Sequence, residues 1–581
     1  MKAIKEGKAS NRRFVYLAVA ALLAFSYLVF GLAISVVEPE EEASLQVNKE
    51  LEAPQFSVSP GFYKEEFRLT LASPAPGGQI YYTTDGSTPT EESTLYEEPI
   101  RIRNRENDPN ILSEIPTSPV WLSPLNRVFK GTLVKAIAVA DKKQSKEKAG
   151  TFFVHEKGRQ RYSLPVVSLI VEPDDLFGYR KGIYVMGATR DDKDFYLRNE
   201  TNLTKVKWHR YPANYIRRGT DWERPVQITY FESGGNTGFS ETAGIRINGN
   251  ATRANTQKSL RLIFDESYGN ASLQYDVFKK VPHLQPSAVL LKGFGQDQTR
   301  ALFRDNLMQA LIGEADVKVN KFAFKTVVLF INAEYWGVFS LQERPDAENI
   351  ALKYQLPGDS ITLLENKIQL SAGMPKEEEG YVKLREFIQS HDLSDIQNYT
   401  HVTEQLDVDN LIDYLIAEMY AANTDWPDTN FHFWRYKIQA ISSGVSTLYR
   451  DGRWRWLLVD LDLGFGEGKY TANMVDHVLN SGTLGPLLKE LLENADFRKK
   501  FFSRFEYHLN STFETKRVLA KVDELEATFK PEMAEHIARW RTLDSYQDWE
   551  KQVEVLREFA RKRPAYLRKE LEELKQLYKV E

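Results

Sequence analysis

At 581 residues, 42% of them hydrophobic and 27% charged, the chain has enough apolar mass for several cores, and two or three domains are expected rather than a disordered or fibrous polymer. A net charge of −5 without a long basic block argues against nucleic acid as a partner. The absence of cysteine excludes disulfides and a lipid-modified N-terminal cysteine, so stability has to come from packing.

Lys2, Lys5, Lys8, Arg12 and Arg13 precede an uncharged apolar stretch from Phe14 to Val37, and Glu38, Glu40, Glu41 and Glu42 follow it. As a helix this stretch would span a hydrocarbon core of about 30 Å. The flanking charges put a short tail, residues 1–13, in the cytoplasm and the bulk of the chain outside. The expectation is a single-pass membrane protein with a transmembrane helix at 14–37. A signal peptide cleaved near Ala33-Ile-Ser35 is the competing reading, and the length of the apolar region disfavours it. Residues 38–54 are acidic and aperiodic, as in a solvated stalk.

From 55 to 155 short β-rich runs alternate with turn clusters such as Asp85-Gly-Ser-Thr-Pro89, which predicts a small all-β sandwich. The stretches Tyr81-Tyr-Thr-Thr-Asp-Gly-Ser-Thr-Pro-Thr90, Tyr96-x2-Pro99-Ile100 and Val134-Lys-Ala-Ile-Ala138 resemble the chitobiase/β-hexosaminidase C-terminal-type module, an accessory immunoglobulin-like domain of secreted and surface proteins. Tyr81 and Tyr82 have the chemistry to stack on a sugar, but alternating strand aromatics are more often core. The module is read as a spacer first and as a glycan contact second.

From about Tyr162 strands and helices mix. Ala243 to Asn250 and Lys258 to Phe264 read as strand, Gly/Asn turn and strand; Ala301 to Ile312 has helical spacing; Asn332-Ala-Glu-Tyr separates two apolar runs as a hairpin. The stretch from Leu487 is helical and charged. The predicted class is α+β with a helical C-terminal lobe.

Two acidic segments carry the chemistry. Asp425 and Asn430 have the Asp-x4-Asn spacing, and Asp460-Leu-Asp462-Leu-Gly464 ends the apolar run Trp454 to Val459. Phosphoryl transfer needs a carboxylate near the attacking hydroxyl plus oxygen ligands that hold a metal on the phosphates, and this pair of segments can supply both. Read alone, an Asx-turn followed by a solvated strand end is the favoured account of both segments.

Read with the rest of the body, the segments resemble the spore-coat protein H (CotH) kinase family. Arg246-Ile-Asn-Gly-Asn-Ala-Thr-Arg253 with Lys258-Ser-Leu-Arg261 is similar to its basic turn and strand. Leu290-Leu-Lys-Gly293 with Thr299-Arg-Ala-Leu-Phe-Arg-Asp305 is similar to its strand and Arg-Asp helix start, and Phe330 to Glu343 to its Asn-Gly-Glu-Tyr hairpin. Leu458-Val459 before Asp460 departs from the Trp that the family often has there. The resemblance places a kinase-like domain at 160–510, followed by a helical region at 511–581. It implies an atypical protein-kinase-like fold that phosphorylates Ser or Thr of secreted or surface proteins from ATP.

Within that frame Asp425 is the preferred acceptor of the hydroxyl proton, with Asp428 its rival, and Asn430 is a metal ligand. Asp460 and Asp462 share a face if the strand persists and would bind Mg²⁺ or Mn²⁺, Asp460 ranking first. Arg253, Lys258 and Arg261 are the candidates for the nucleotide phosphates, an exposed strand face being the plain alternative. Arg304 at a helix start opposes the dipole, which points to a phosphate or carboxylate partner. Glu343, at a strand end, would pair with one of these cations or lie near the adenine. The histidines show no zinc spacing. Two other readings stay open: an inactive kinase-like surface binding protein or adhesin, and a hydrolase using Asp425 and Asp460 as an acid/base pair, which nothing else in the sequence supports.

Overall fold

A computed structural model of the protein describes residues 51–192, 207–279, 285–437 and 449–580. The expected cytoplasmic tail, the transmembrane helix at 14–37 and nearly all of the stalk lie outside the described residues. Among those described, no helix is long and apolar enough to cross a membrane. Residues 52–581 form one compact unit.

The N-terminal β region contains β1 (Gln55–Phe56), β2 (Gly61–Tyr63), β3 (Phe67–Leu69), β4 (Leu71–Ala72), β5 (Gln79–Thr83), β6 (Thr94–Leu95), β7 (Ile100–Ile102), β8 (Thr132–Ala140), β9 (Lys143–Gln144) and β10 (Lys148–Val154). The main sheet runs β2-β10-β8-β5-β6 with β9 on β8, and β1-β4 and β3-β7 form two short ladders. Leu69, Ile80, Ile102, Val134, Ala136 and Phe152 meet in one core, as period-two alternation requires. The middle of β8 breaks that alternation, being buried without interruption from Thr132 to Ala138. Its other face is covered too: Leu133 packs with Ile170 and Ala333 of the main body. A strand covered on both faces loses the alternation, and the one charge in this run, Lys135, donates to the Gly86 carbonyl at 3.1 Å.

The spacer reading therefore gives way to a fused module. Phe153 lies 4.6 Å, centroid to centroid, from Phe330 of the body, and with Phe62, Phe129 and Tyr162 it belongs to the main core. The buried Glu334 carboxylate accepts the backbone N–H groups of Ile111, Leu112 and Ser113 at 3.3, 3.2 and 2.8 Å, a charge-assisted clasp between the two parts.

The body opens with β11 (Val166–Ile170), β12 (Arg224–Phe231), β13 (Thr237–Ile247), β14 (Leu260–Ile263), β15 (Ala288–Lys292), β16 (Phe324–Ile331) and β17 (Glu334–Glu343). They close into a barrel in the order β11-β12-β13-β14-β15-β17-β16, parallel only where β16 meets β11. Alternate residues, among them Leu169, Ile228, Ile245, Leu262, Leu291, Leu329 and Phe339, fill one core. Asn332 and Ala333, both with positive φ (45° and 65°), make the tight turn of the expected β16-β17 hairpin. The helix expected from Ala301 is shorter and runs Arg304–Gly313. The Asp297 carboxylate takes the N–H groups of Ala301 and Arg304 at 3.1 and 2.9 Å, which holds the entry as a 3-10 turn over Gly295–Thr299.

After the barrel, β18 (Ile361–Glu365), β19 (Gln369–Ala372), β20 (His432–Tyr436) and β21 (Arg455–Leu457) form a sheet in the order β19-β18-β20-β21. The Val408–Ala421 helix is buried along its length, and helices dominate from Gly485 to Leu577. The architecture is mixed α+β, with a β-rich N-terminal region and a helical C-terminal part. The Met533–Trp540 helix docks on β17. Trp540 Nε1 donates to the Trp336 carbonyl at 2.9 Å, and the Val338 N–H donates to His536 Nδ1 at 3.0 Å. Gly337, at φ 111°, has no room for a Cβ, which would stand 2.4 Å from Trp540 Nε1.

Burial, and then Arg539, push the His536 imidazole from 6.5 down to about 3. Between those values the unfolded chain binds a proton that the folded chain refuses. Stability is therefore full above about pH 6.5 and falls on acidification, this group contributing about 1.4 kcal/mol per pH unit until its folded pKa is reached. Urea midpoints at several pH values measure the slope. His536→Asn, whose amide oxygen can accept the Val338 N–H, is expected to flatten it, and an unchanged slope would refute this assignment. Phe153→Ala is expected to cost about 3–5 kcal/mol in a single unfolding transition; separate melting of the module would contradict the shared core.

Candidate active site

The Val408–Ala421 helix starts at Asp407, which accepts the Asn410 N–H, and ends at Ala422 in the left-handed region. Asn423, fully buried, donates to Glu418 Oε2 at 3.0 Å. Burial drives the Glu418 carboxyl well above the usual range. Trp426 fixes the loop that follows: its buried indole donates to the Tyr414 hydroxyl at 2.6 Å. That anchor leaves Asp425 exposed. Asn430 Nδ2 donates to Asp425 Oδ2 at 3.3 Å, and Thr429 Oγ1 donates to the Asp425 carbonyl at 2.8 Å. Asp425 and Asn430 are thus brought together. Asp428 has a different neighbour, accepting from Thr483 Oγ1 at 3.2 Å.

β21 ends at Leu457, and Asp460 adopts φ 60°. The strand does not persist, so Asp460 and Asp462 do not share a strand face as expected. Two hydrogen bonds draw the chain off the sheet. The Leu461 N–H donates to Asp305 Oδ1 at 3.2 Å, and the Phe465 N–H donates to the Ala421 carbonyl at 2.7 Å. The Asp460 side chain remains 45% exposed, whereas Asp462 is buried and accepts the Gln296 N–H at 2.6 Å. Burial, followed by the Asp460 charge, pushes the Asp462 carboxyl well above its ordinary range. Gly295 makes room for this contact: it has φ 55°, and a Cβ there would stand 2.1 Å from Asp462 Oδ2.

Lys292, the last residue of β15, completes the cluster. Its Nζ lies 2.9 Å from Asp305 Oδ2 and 3.3 Å from Asp460 Oδ1. Burial opposes the ammonium charge, but Asp305, then Asp460 and Asp462, hold its pKa above the usual lysine value. Burial likewise would raise Asp305, yet Lys292 brings that carboxyl below the usual range. Asp305 also accepts from Gln342 Nε2 at 3.3 Å. Chemically, the site offers an exposed carboxylate at Asp425, an ammonium at Lys292, and oxygen donors for a hard cation at Asp460, Asp462 and Asn430. Among the described residues no group of three or more His, Cys, Asp or Glu side chains is placed to hold a metal alone.

The other expected residues pair with groups outside this set. Arg253 is buried and donates to the carbonyls of Tyr215, Ile247 and Arg217. Lys258, wholly buried, donates to the carbonyls of Arg253 and Asn255 at 2.7 and 2.8 Å and lies 3.8 Å from the centre of the Tyr215 ring. Burial, then Arg253, depress its ammonium well below the usual value. These two cations hold the turn between β13 and β14 together; the exposed-face alternative fails as well. Arg261 stands opposite Arg246 in the sheet. Glu343 accepts the Ala323 N–H at 2.7 Å and Lys353 Nζ at 3.0 Å, tying β17 to the start of β16. Arg304 has the carboxylate partner its position called for: Asp297 Oδ1 at 3.5 Å.

Sequence reasoning missed Lys292 and Asp305. Both stand in the strand and helix-start segments quoted for the resemblance, but a strand-end lysine and an aspartate in the first turn of a helix are ordinary in themselves, and only their distance makes them a pair.

Residues 245–567 match the family model described as CotH kinase protein, and residues 69–152 match that described as Fn3 associated. A search of curated proteins finds no match.

Asp305→Ala leaves the Lys292 ammonium with Asp460 alone, and because the two side chains keep 17% and 12% of their surface exposed, breaking the pair is expected to cost about 3 kcal/mol, the low end for a buried pair. The double variant Lys292→Met/Asp305→Leu should lose clearly less than the sum of Lys292→Met and Asp305→Leu, measured by urea unfolding. Strict additivity would deny the coupling.

Proposed function

The chain belongs to the CotH kinase family, and from that premise we propose that it is an atypical protein kinase that transfers the γ-phosphoryl group of ATP to Ser or Thr hydroxyls of secreted or surface proteins. The observation that carries this reading is the convergence of Lys292, Asp305 and Asp460, at 2.9 and 3.3 Å. A strand-end lysine paired with a carboxylate on a neighbouring helix, beside an aspartate that follows an apolar strand, is what phosphate positioning requires. The Asp425-Asn430 contact provides the other half.

In this reading Asp425 orients the acceptor hydroxyl and takes its proton. Lys292 neutralises phosphate oxygens, and Asp305 holds the ammonium in place. Asp460, Asp462 and Asn430 would hold Mg²⁺ or Mn²⁺, which when bound screens the charge on the phosphates. The donor set fits a hard cation: it is all oxygen, and the buried Asp462 carboxyl beside Asp460 is a like-charge pair that a cation would relieve. Two carboxylates and one amide leave coordination positions for phosphate oxygens. Catalysis then rests mainly on positioning and electrostatics. The apolar stretch from Phe14 to Val37, with its basic and acidic flanks, supports a single-pass anchor that places this body outside the cytoplasm.

Incubation of the protein with labelled ATP and Mg²⁺ or Mn²⁺, with and without a generic protein acceptor, tests the reading. Wild type is expected to transfer phosphate, and Asp425→Ala and Asp460→Ala to lose about 10²-fold or more of that activity. If wild type neither binds nucleotide nor transfers phosphate, the inactive surface-binding reading takes its place.

A further inference from the structure

Beside the Asp425 loop lies a cavity of about 300 Å³ whose walls come from three separate segments: Thr299, Arg300 and Arg304 from one, Leu463, Glu467 and Lys469 from the second, and Gln552 from the third. Three cations face a single carboxylate. Arg304 is 1% exposed, yet its Nε and Nη1 have no hydrogen-bond acceptor, Asp297 Oδ1 being 3.5 Å from Nη1. A buried guanidinium left with unfilled donors is costly unless something else fills them. Lys469 Nζ donates to Thr424 Oγ1 at 2.6 Å, one residue from Asp425, and Arg300 and Arg304 are close enough to depress its pKa further after burial has done so. The surplus of positive charge therefore sits next to the carboxylate assigned to the acceptor hydroxyl.

We propose that this cavity receives an anionic side chain of the acceptor polypeptide, a carboxylate or a phosphate ester close in sequence to the target Ser or Thr, so that the enzyme selects acidic or already phosphorylated acceptor segments. The inference rests on the kinase reading for its setting but not for its test. Arginine pairs supply directed donors to carboxylate and phosphate, and Lys469 spans the distance between that anion and the Asp425 loop. Glu467 in the same wall opposes an anionic occupant, but less than the three cations favour it, and so limits how much negative charge the cavity tolerates.

The experiment uses the full chain and a set of matched peptides with one central serine, flanked by neutral residues, by glutamate, by phosphoserine or by lysine. Binding is read first, without ATP, by fluorescence anisotropy; phosphate transfer is read second. The glutamate and phosphoserine peptides are expected to bind about tenfold or more tightly than the neutral one, the difference that one charge-assisted contact confers, and Arg300→Glu is expected to abolish or invert that ratio. Lys469→Met, which removes one cation without adding a negative charge, should reduce it. Equal binding of acidic and neutral peptides by wild type would overturn the proposal even if phosphate is transferred. An acidic preference in binding with no transfer to any peptide would sustain the cavity assignment and reject the kinase reading instead. Inorganic phosphate that binds as tightly as the phosphoserine peptide would make the cavity a free-anion site, and a rise in the KM for ATP shared by all peptides in Arg300→Glu would assign it to the nucleotide; either result overturns the acceptor role.

Discussion

The half-buried contact between Lys292 and Asp305 is the constraint on which the site depends. Asp305 accepts from Lys292 Nζ, from Gln342 Nε2 and from the Leu461 N–H, so one carboxylate ties β15, β17 and the segment after β21 to the first turn of a helix. Taking that carboxylate out of water is costly, and the ammonium 2.9 Å away makes its charged form tolerable. Because Lys292 also reaches Asp460 at 3.3 Å, the same pair fixes the position of the most exposed of the three aspartates. Geometry at the site is thus set by electrostatics in the interior rather than by the loops that carry the acidic residues.

The two acidic segments are held in place by different means. Asp425 is presented by a loop whose rigidity comes from a buried indole: Trp426 is held by the Tyr414 hydroxyl and by His477, which meets the Trp426 carbonyl. Asp460 is presented by a backbone that leaves its strand, and Phe465 and Leu461 fasten that departure to the Val408–Ala421 helix and to Asp305. Neither segment could slip by a residue without losing a buried anchor. This explains how exposed carboxylates can occupy defined positions on an otherwise solvated surface.

Much of this was legible in the amino-acid order. The Asp425-Asn430 spacing, the Asn332 hairpin and the mixed α+β class all follow from local patterns whose physics is local: a turn, an alternation, a helical stripe. Failures arose where burial overrode type. Lys258 and Arg253 look like surface cations because lysine and arginine seldom lie fully inside; here backbone carbonyls take their protons, and only the folded turn between β13 and β14 brings those carbonyls round. The pairing of Asp460 with Asp462 on one face assumed an extended chain, and the left-handed residue at Asp460 came from contacts more than a hundred residues distant in sequence. Lys292 and Asp305 were hidden for the same reason, since separation in space is not written in a single strand or helix.

The shared core around Leu133, Phe153 and Phe330 has a consequence for how this chain can be divided. The family matches fall on two separate stretches, 69–152 and 245–567, as though two modules had been strung together, yet β8 is covered by the body on one face and Glu334 holds the module's backbone from the hairpin tip. The unit of inheritance and the unit of folding therefore differ. A chain cut at the seam would bare an aromatic cluster on each side, and a module exchanged for a foreign one would have to bring its own Phe153 and its own N–H groups for Glu334. Whatever history joined the two stretches, their interface has since become interior.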